Sequence, residues 1–303
     1  MRSPPAPLTR WEKGVLRFGI QRQKTIVYDG SEHMKFSVLM SIYHKEDVAY
    51  FHEAMESIWS NQTTKPSEIV LVKDGPLTPG LDKAIQLWES KLASILKIVQ
   101  LDKNVGLGAA LNEGLLHCSY ELVARMDTDD ISYPSRFEKQ LALMVNRSDI
   151  AVSSGWIEEI DEAEKVFSIR KLPENPSDLL RFARKRSPIA HPVAIFRKSA
   201  ILEVGGYPPL RKSQDYGLWA HLLVKGYKMA NIQEPLLKMR LGNVFGSGRG
   251  FDHLKNEWAM FHYQKRIGFI TWLAFAKNFA IRCVLRLSPV LIKRCLYRYG
   301  RSV

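Results

Sequence analysis

The sequence contains few cysteines, no long apolar run and no acidic residue near its C-terminal end. Its 3 cysteines in 303 residues are too few for a disulfide framework, which favours a reducing compartment. The longest uncharged apolar run, Ile267–Ala276, is 10 residues long, whereas a membrane-spanning helix needs about 20. Residues 1–33 show no apolar stretch of the roughly 7–15 residues typical of a secretory signal. These shortages argue against a disulfide-rich secreted domain and against a spanning helix.

The net charge of +13 is concentrated near the C-terminal end. Residues 238–303 carry 13 Lys and Arg against 2 Asp and Glu, whereas residues 36–237 carry 24 against 26. A nucleic-acid-binding protein usually carries its excess charge on the folded domain. The uneven distribution therefore disfavours a nucleic-acid-binding protein, and we expect no DNA or RNA partner.

Short apolar runs alternate with helical patterns through the middle of the chain. Phe36–Tyr43, Ile69–Val72 and Leu122–Met126 are strand candidates, and patterns typical of helices lie between them. This alternation predicts an α/β fold, with a Rossmann-like, mostly parallel sheet flanked by helices. The Pro-containing residues 1–33 show no clean periodicity, so we expect a flexible extension, or an early start codon, before Met34.

The end of the chain, residues 241–303, predicts a basic amphipathic helical region. Residues 265–303 carry 9 Lys and Arg with no Asp or Glu, interspersed with aromatic and aliphatic residues. Such a segment suits an anionic membrane surface. A helix pair that packs on the domain and keeps a solvated basic face is the alternative.

The segment Asp127-Thr128-Asp129-Asp130 is the strongest chemical signal in the sequence. Three carboxylates at the end of an apolar strand repel one another, and a divalent cation compensates such a cluster. Mg²⁺ in particular is commonly held by one or two carboxylates together with substrate phosphates. Helix capping before Pro134 is the alternative, but it needs only one acid. We therefore expect Mn²⁺ or Mg²⁺ here.

Taken together and in this order, several motifs resemble family 2 glycosyltransferases of the GT-A fold. The similarity is greatest to bacterial enzymes of exopolysaccharide and lipopolysaccharide synthesis, of the amylovoran type. It covers about residues 35–240 and rests on the following segments: Phe36–Glu46, Ile69–Gly75, Asn104–Asn112, Ala124–Ser132, Pro134–Gln140, His191-Pro192 and Ser213–Trp219. The resemblance implies a GT-A domain over 34–240, with a nucleotide-binding half (34–132) and an acceptor half (133–240).

The resemblance also implies roles for individual residues. Tyr43 would lie against the nucleotide base, Asp74 would hydrogen-bond the uracil edge, and Arg125 would approach the diphosphate. Asp127 would contact the ribose or the metal, and Asp129 would bind the metal. The catalytic residue would be Asp215, although an acid in the first turn of a helix can also be a capping residue.

Two further residues are candidates for the acceptor pocket. His191 opens a strand pattern next to Pro192, and Trp156 could stack on a sugar face; a core position is the alternative for each. The implied reaction is an inverting, non-processive transfer from a nucleotide sugar, with UDP expected. The expected acceptor is a lipid-linked glycan, lipopolysaccharide or exopolysaccharide, and the enzyme would be peripheral on the cytoplasmic membrane face. A nucleotidyltransferase is the other enzyme class considered, but no Gly-rich phosphate loop follows the first strand.

Overall fold

The computed structural model of the chain describes residues 34–241 and 250–287. The predicted N-terminal extension, residues 1–33, lies outside the described residues, as does the last part of the predicted basic region. Within the described part, one sheet of nine strands is flanked by helices.

The first half of the sheet is parallel. Its strands lie in the order β3-β2-β1-β4, and each neighbouring pair is parallel. Helices connect successive strands, as parallel pairing requires. The elements of this half are β1 (Phe36–Ile42), α1 (Val48–Ile58), β2 (Glu68–Lys73), α2 (Pro79–Leu92), a 3₁₀ turn (Ala93–Ile95), β3 (Leu96–Gln100), α3 (Leu107–His117) and β4 (Leu122–Arg125).

The second half continues the sheet in the order β4-β8-β6-β9-β5, with β7 paired to β6. Its elements are β5 (Ile131–Ser132), α4 (Arg136–Asn146), β6 (Ile150–Ile160), β7 (Val166–Arg170), α5 (Pro176–Ala183), a 3₁₀ turn (His191–Val193), β8 (Ile195–Arg197), α6 (Lys198–Glu203), α7 (Gln214–Val224) and β9 (Lys228–Arg240).

The predicted fold class is confirmed, but strand direction differs in this second half. Only β6 and β9 pair in parallel there. The strand β8 is antiparallel to both β4 and β6. The pairs β6–β7 and β5–β9 are also antiparallel. The sheet is therefore mixed rather than mostly parallel. The tight β6–β7 turn shows one cause: Asp161 Oδ1 accepts hydrogen bonds from the backbone N–H groups of Ala163 and Lys165 at 3.0 and 2.9 Å, and so short a connection joins only antiparallel strands.

Core residues cover both faces of the sheet. In β1, Val38 and Met40 belong to the cluster that packs against α1, α2 and α4, whereas Leu39 belongs to the cluster around α3, α6 and α7. Alternate residues of a strand point to opposite faces, and both faces of β1 are fully buried. This explains why the strand appears in the sequence as a continuous apolar run.

Parallel pairing places three polar segments at one edge of the sheet. Leu39 of β1 is in register with Val70 of β2 and with Arg125 of β4. The segments that follow these three strands therefore leave the sheet on the same side, where open α/β sheets bind ligands.

A helix pair, α8 (Gly250–Arg266) and α9 (Trp272–Leu287), packs against α7. Its inner face is a small apolar cluster that includes Tyr216 of α7, Phe261 of α8 and Phe275 of α9. The packed helix pair that sequence analysis kept as an alternative is therefore present. Among the described residues, no helix combines the length and apolar character needed to cross a membrane.

The close packing of α3 on the sheet gives a stability test at Gly114. A Cβ added there would lie 2.5 Å from Val72 Cγ2 and 2.6 Å from Leu39 Cδ1. We expect Gly114→Ala to lower the free energy of unfolding by about 1–3 kcal/mol through overpacking, measured by urea denaturation. Gly80→Ala is the matched control, because its added Cβ would meet Val48 Cγ2 at 3.4 Å. Equal stability of the two variants would contradict this packing.

Candidate functional site

The segments after β1, β2 and β4 bring most of the predicted site residues to one edge of the sheet. Tyr43 follows β1, Asp74 follows β2, and Asp127 and Asp129 follow β4. The pKa of Tyr43 is raised, first by burial and then by the charges of Glu46 and Asp129. Segments separated by more than 80 positions in the sequence thus share one electrostatic environment.

Arg125, the last residue of β4, is a buried cation under the acidic motif. Its side chain is fully buried, and its Nη2 donates a hydrogen bond to Asp127 Oδ1 in an ion pair. Its Nε and Nη1 atoms have no hydrogen-bond partner among the described residues. A buried charge requires a counter-charge, so Asp127 is held by Arg125 while 31% of its side chain remains exposed.

The backbone under the motif is fixed by a second buried arginine. Arg136 Nη2 donates to the carbonyl oxygen of Arg125 at 2.6 Å, and its Nε donates to Gln140 Oε1 at 3.0 Å. Gln140 Nε2 in turn donates to the carbonyl oxygen of Val193 at 2.9 Å. Burial, followed by the charge of Arg125, lowers the pKa of Arg136 to about 9.

The two remaining acids of the motif have different environments. Asp130 is buried, and its Oδ1 accepts a hydrogen bond from the backbone N–H of Arg240 at 3.0 Å, which ties the motif to β9. Asp129 is half-buried, and burial followed by the charge of Asp127 raises its pKa to about 6. Asp127 and Asp129 are therefore the two carboxylates of the motif available to a ligand.

These two carboxylates fit a divalent cation whose remaining ligands would include substrate phosphates. Among residues 34–241 and 250–287, no group of three or more His, Cys, Asp or Glu side chains is arranged to hold a metal ion. Burial is the first cause of the raised pKa of Asp129 and the charge of Asp127 the second, and a cation held by both carboxylates would offset their repulsion. One or two carboxylates with substrate phosphates form a common Mg²⁺ site, and the pair Asp127 and Asp129 fits that pattern.

Glu46 is a member of the site that sequence analysis did not single out. Burial and then the charge of Asp129 raise its pKa to about 7, and the Thr128 side chain partly offsets this effect. The available signal was the polar cluster Tyr43–Glu46 directly after β1. The spacing within that cluster did not show which of its side chains turns toward the acidic motif.

Asp74 anchors the loop that leads into α3. Its Oδ1 accepts from the backbone N–H of Val105 at 2.6 Å, and its Oδ2 accepts from that of Gly106 at 3.0 Å. Close approach of the two segments requires a glycine at position 75, where a Cβ would lie 2.6 Å from the backbone nitrogen of Asn104. Each oxygen of a carboxylate can accept a further hydrogen bond, so this anchoring leaves acceptor capacity at Asp74.

Asp215 lies in the first turn of α7, beside a cleft of about 490 Å³. Burial raises its pKa; hydrogen bonds from backbone N–H groups oppose the shift, and the charge of Asp127 adds to it. The residue before the helix, Ser213, has a left-handed backbone conformation with φ of 58°, which is uncommon for a residue other than glycine. Asp215 and Asp127 are thus electrostatically coupled, and Asp215 also faces the cleft.

The two candidate acceptor residues do not line this cleft. His191 is buried, its Nε2 lies 2.9 Å from the hydroxyl of Tyr207, and its ring centroid is 6.3 Å from that of Trp219. Trp156 donates through Nε1 to the carbonyl oxygen of Leu172 at 3.2 Å. These contacts match the core positions kept as the alternative for both residues.

The environment of His191 gives a pH-dependent stability test. Burial, and then the charge of Arg125, holds the pKa of His191 well below its usual 6.5. The unfolded chain therefore binds a proton near pH 6.5 that the folded chain excludes, so stability falls as the pH drops below about 6.5. We expect the free energy of unfolding to fall between pH 7 and pH 5 by about 1–2 kcal/mol more in the wild type than in His191→Gln.

The control for this test is the exposed His262, changed to Gln and measured in the same urea titrations. His262→Gln should retain the wild-type pH dependence. Parallel pH profiles of the wild type and His191→Gln would show that His191 is not held neutral in the folded state.

The sequence was compared with those of known protein families and of individual proteins. Residues 37–205 match the family described as Glycosyl transferase family 2. The chain is 37% identical, over 88% of its length and 99% of the relative, to the amylovoran biosynthesis glycosyltransferase AmsE of Erwinia amylovora. It is 36% identical, over 87% of its length and 95% of the relative, to the UDP-Gal:alpha-D-GlcNAc-diphosphoundecaprenol beta-1,3-galactosyltransferase of Escherichia coli.

Solved structures support the fold. The mannosyltransferase PcManGT of Pyrobaculum calidifontis, solved with GDP-Man and Mn²⁺, matches 91% of this chain and 75% of its own with a TM-score of 0.60 at 17% identity. TarS of S. aureus, solved with UDP-GlcNAc, matches 76% of this chain and 66% of its own with a TM-score of 0.58 at 20% identity. The sequence match and the shared fold show that this chain belongs to glycosyltransferase family 2 and has a GT-A-like fold.

Proposed function

We propose that the chain transfers a sugar from a UDP-linked donor to a lipid-linked glycan of bacterial polysaccharide synthesis, with inversion at the anomeric carbon. The observation that carries the proposal is the electrostatic link of Asp127 and Asp215 to one buried cation, Arg125. Arg125 pairs with Asp127, and its charge partly opposes the rise in the pKa of Asp215 that burial and then the charge of Asp127 cause. The donor class and the acceptor class are supported by relatives whose names state a nucleotide sugar and a diphosphoundecaprenol acceptor.

On the donor side, Tyr43 lies against the base, and Asp74 holds the adjoining loop and accepts a hydrogen bond from the base edge. Asp127 and Asp129 would hold Mn²⁺ or Mg²⁺, and a cation bound there would supply positive charge to the diphosphate leaving group. The Arg125 guanidinium lies beside Asp127 and adds a fixed positive charge to that region.

On the acceptor side, Asp215 is the general base. Its carboxylate takes the proton from an acceptor hydroxyl while the hydroxyl oxygen attacks the anomeric carbon from the face opposite the diphosphate. The new C–O bond forms as the bond to the diphosphate breaks, so a single displacement inverts the configuration. No covalent intermediate is required, since the leaving group is already activated.

Removal of the base should separate donor binding from transfer. We expect Asp215→Asn to bind UDP with Mn²⁺ as the wild type does and to lose transfer by about 10²-fold or more, because a general base contributes about 10²–10⁴-fold. Calorimetry measures UDP binding, and release of UDP in the presence of an acceptor measures transfer.

The matched control is Asp178→Asn, which changes an exposed acid in the first turn of α5. This control should transfer at the wild-type rate. Transfer by Asp215→Asn at more than roughly a tenth of the wild-type rate, well above the loss expected for a general base, would remove Asp215 from the mechanism.

We also propose that the helix pair α8–α9 associates with an anionic membrane surface, on the cytoplasmic face where lipid-linked acceptors would be presented. Trp272 and Leu273 at the start of α9 are 61% and 82% exposed. Lys265 Nζ lies 5.2 Å from the centroid of the Trp272 ring, and Lys277 is exposed on the same helix. Exposed aromatic and aliphatic side chains beside cations are typical of interfacial helices.

Vesicle binding tests this membrane contact. We expect Trp272→Ser combined with Leu273→Ser to lower the affinity for phosphatidylglycerol-containing vesicles about tenfold or more, because two large apolar side chains lose burial in the lipid interface. Cosedimentation is the measurement, and added salt should weaken binding. The control, Phe167→Ser with Ile169→Ser, removes apolar side chains that are 49% and 45% exposed on β7. Equal loss in both double variants would contradict a specific α8–α9 surface.

A further inference from the structure

The cleft beside Asp215 has groups that the donor reaction does not use. One wall is the segment Arg211–Asp215 at the start of α7, and the other is α8, through the three side chains of His253, Asn256 and Glu257. Leu107, at the start of α3, also lines the cleft. An acceptor that reaches Asp215 through this cleft would therefore contact the other polar groups that line it.

Two of these groups are cations beside the base. Arg211 and Lys212 are exposed, precede Asp215 by four and three positions, and line the cleft. Within residues 34–241 and 250–287, no carboxylate lies within ion-pair distance of either one, whereas many other Lys and Arg side chains have such a partner. The cleft also contains the carboxyl groups of Asp215 and Glu257, so an anion is drawn to its Arg211–Lys212 end.

Gln214 places a side-chain amide in the same cleft. The residue is 8% exposed and lines the cleft. Contact with the start of α3 holds it in place, since a Cβ at Gly108 would lie 3.2 Å from Gln214 Cγ. The N–H groups of a side-chain amide can donate to phosphate oxygens.

The next stripe of α8 is apolar. Leu254 and Trp258 lie one helical turn apart and, with Lys255 of α8 and Phe279 of α9, form a groove of about 410 Å³. On α8, His253, Asn256 and Glu257 line the polar cleft, whereas Leu254 and Trp258 line the apolar groove. The cleft and the groove therefore occupy neighbouring stripes of the same helix. A ligand with a charged head and an apolar chain fits this arrangement.

We infer that Arg211, Lys212 and Gln214 bind the phosphate of a lipid-linked acceptor, whose apolar chain lies in the groove between α8 and α9. This inference rests on the proposed function and adds a binding site for the phosphate of the acceptor. The acceptor sugar reaches Asp215 from the α7–α8 cleft, and the donor diphosphate lies on the other side, at Asp127 and Asp129. The cations of the α7–α8 cleft thus recognise the second phosphate-bearing substrate.

Binding of three probes to the full chain tests the inference: farnesyl diphosphate, inorganic pyrophosphate and farnesol, each in EDTA so that no metal draws phosphate to the donor site. Farnesyl diphosphate should bind more tightly than either of the others. Arg211→Gln combined with Lys212→Gln should weaken its binding at least about tenfold, as expected for lost charge-assisted hydrogen bonds.

The control double variant, Arg147→Gln with Lys228→Gln, removes the same charge next to the first residues of β6 and β9, at the opposite edge of the sheet. It should bind farnesyl diphosphate as the wild type does. Equal weakening in both double variants would overturn the inference, as would pyrophosphate or farnesol binding as tightly as farnesyl diphosphate.

UDP binding with Mn²⁺, measured on the same samples, separates this inference from the proposed function. A wild type that binds UDP but not farnesyl diphosphate would overturn the acceptor-phosphate site alone. A wild type that binds farnesyl diphosphate but no nucleotide would overturn the proposed donor. Loss of farnesyl diphosphate with retained UDP binding in the Arg211 and Lys212 variant is the result that supports the inference.

Discussion

The buried guanidinium of Arg125 is the interaction on which the rest of the site depends. It has no solvent exposure, is paired with Asp127, and alters the pKa of Glu46, Asp129, Asp130 and Asp215. Without this cation, several half-buried carboxylates would repel one another in a poorly solvated space, and the usual response would be protonation. Arg125 therefore allows the acids to remain close together while leaving part of their charge for a ligand.

The site has two parts, and the charge of Arg125 acts on acids in both. The acidic motif after β4 faces the loops that follow β1 and β2, and this side suits a nucleotide diphosphate with a metal. The cleft between α7 and α8 is the second part. Asp215 lines this cleft, and the charge of Asp127 in the first part acts on it. Because α8 belongs to a helix pair with an exposed aromatic surface, the arrangement places the acceptor cleft next to the surface that we assign to the membrane.

Much of the first half of the fold could be predicted from the sequence, for a physical reason. Strands such as Phe36–Ile42 are buried on both faces, so they appear as uninterrupted apolar runs, and polar clusters mark their ends. Two parallel strands necessarily end at the same edge, which made the grouping of Asp74 with Asp127 predictable. The helix Gln214–Val224 follows a helical pattern of apolar residues that is visible in the sequence.

The second half was less predictable because its contacts are not local. The strand β7 is exposed along most of its length, and β8, the antiparallel neighbour of β4, is separated from it by some 70 positions. The place of Glu46 beside the acidic motif and the burial of His191 against Tyr207 were not predictable for the same reason: side-chain direction depends on packing partners that spacing does not show. The sequence does not distinguish Arg211 and Lys212 from ordinary surface charges, whereas the fold places both in the cleft that Asp215 lines.

The most direct measurement of the central claim is a calorimetric panel of nucleotide sugars, with UDP-, GDP- and dTDP-linked donors, each with Mn²⁺ and with EDTA. We predict that a UDP-linked donor binds, that EDTA abolishes most of the affinity, and that Asp129→Asn in Mn²⁺ binds the donor as weakly as the wild type does in EDTA. Absence of binding to every donor, with or without metal, would contradict a nucleotide-sugar site at this edge of the sheet. Equal binding in EDTA and in Mn²⁺ would contradict the metal-binding role of Asp127 and Asp129.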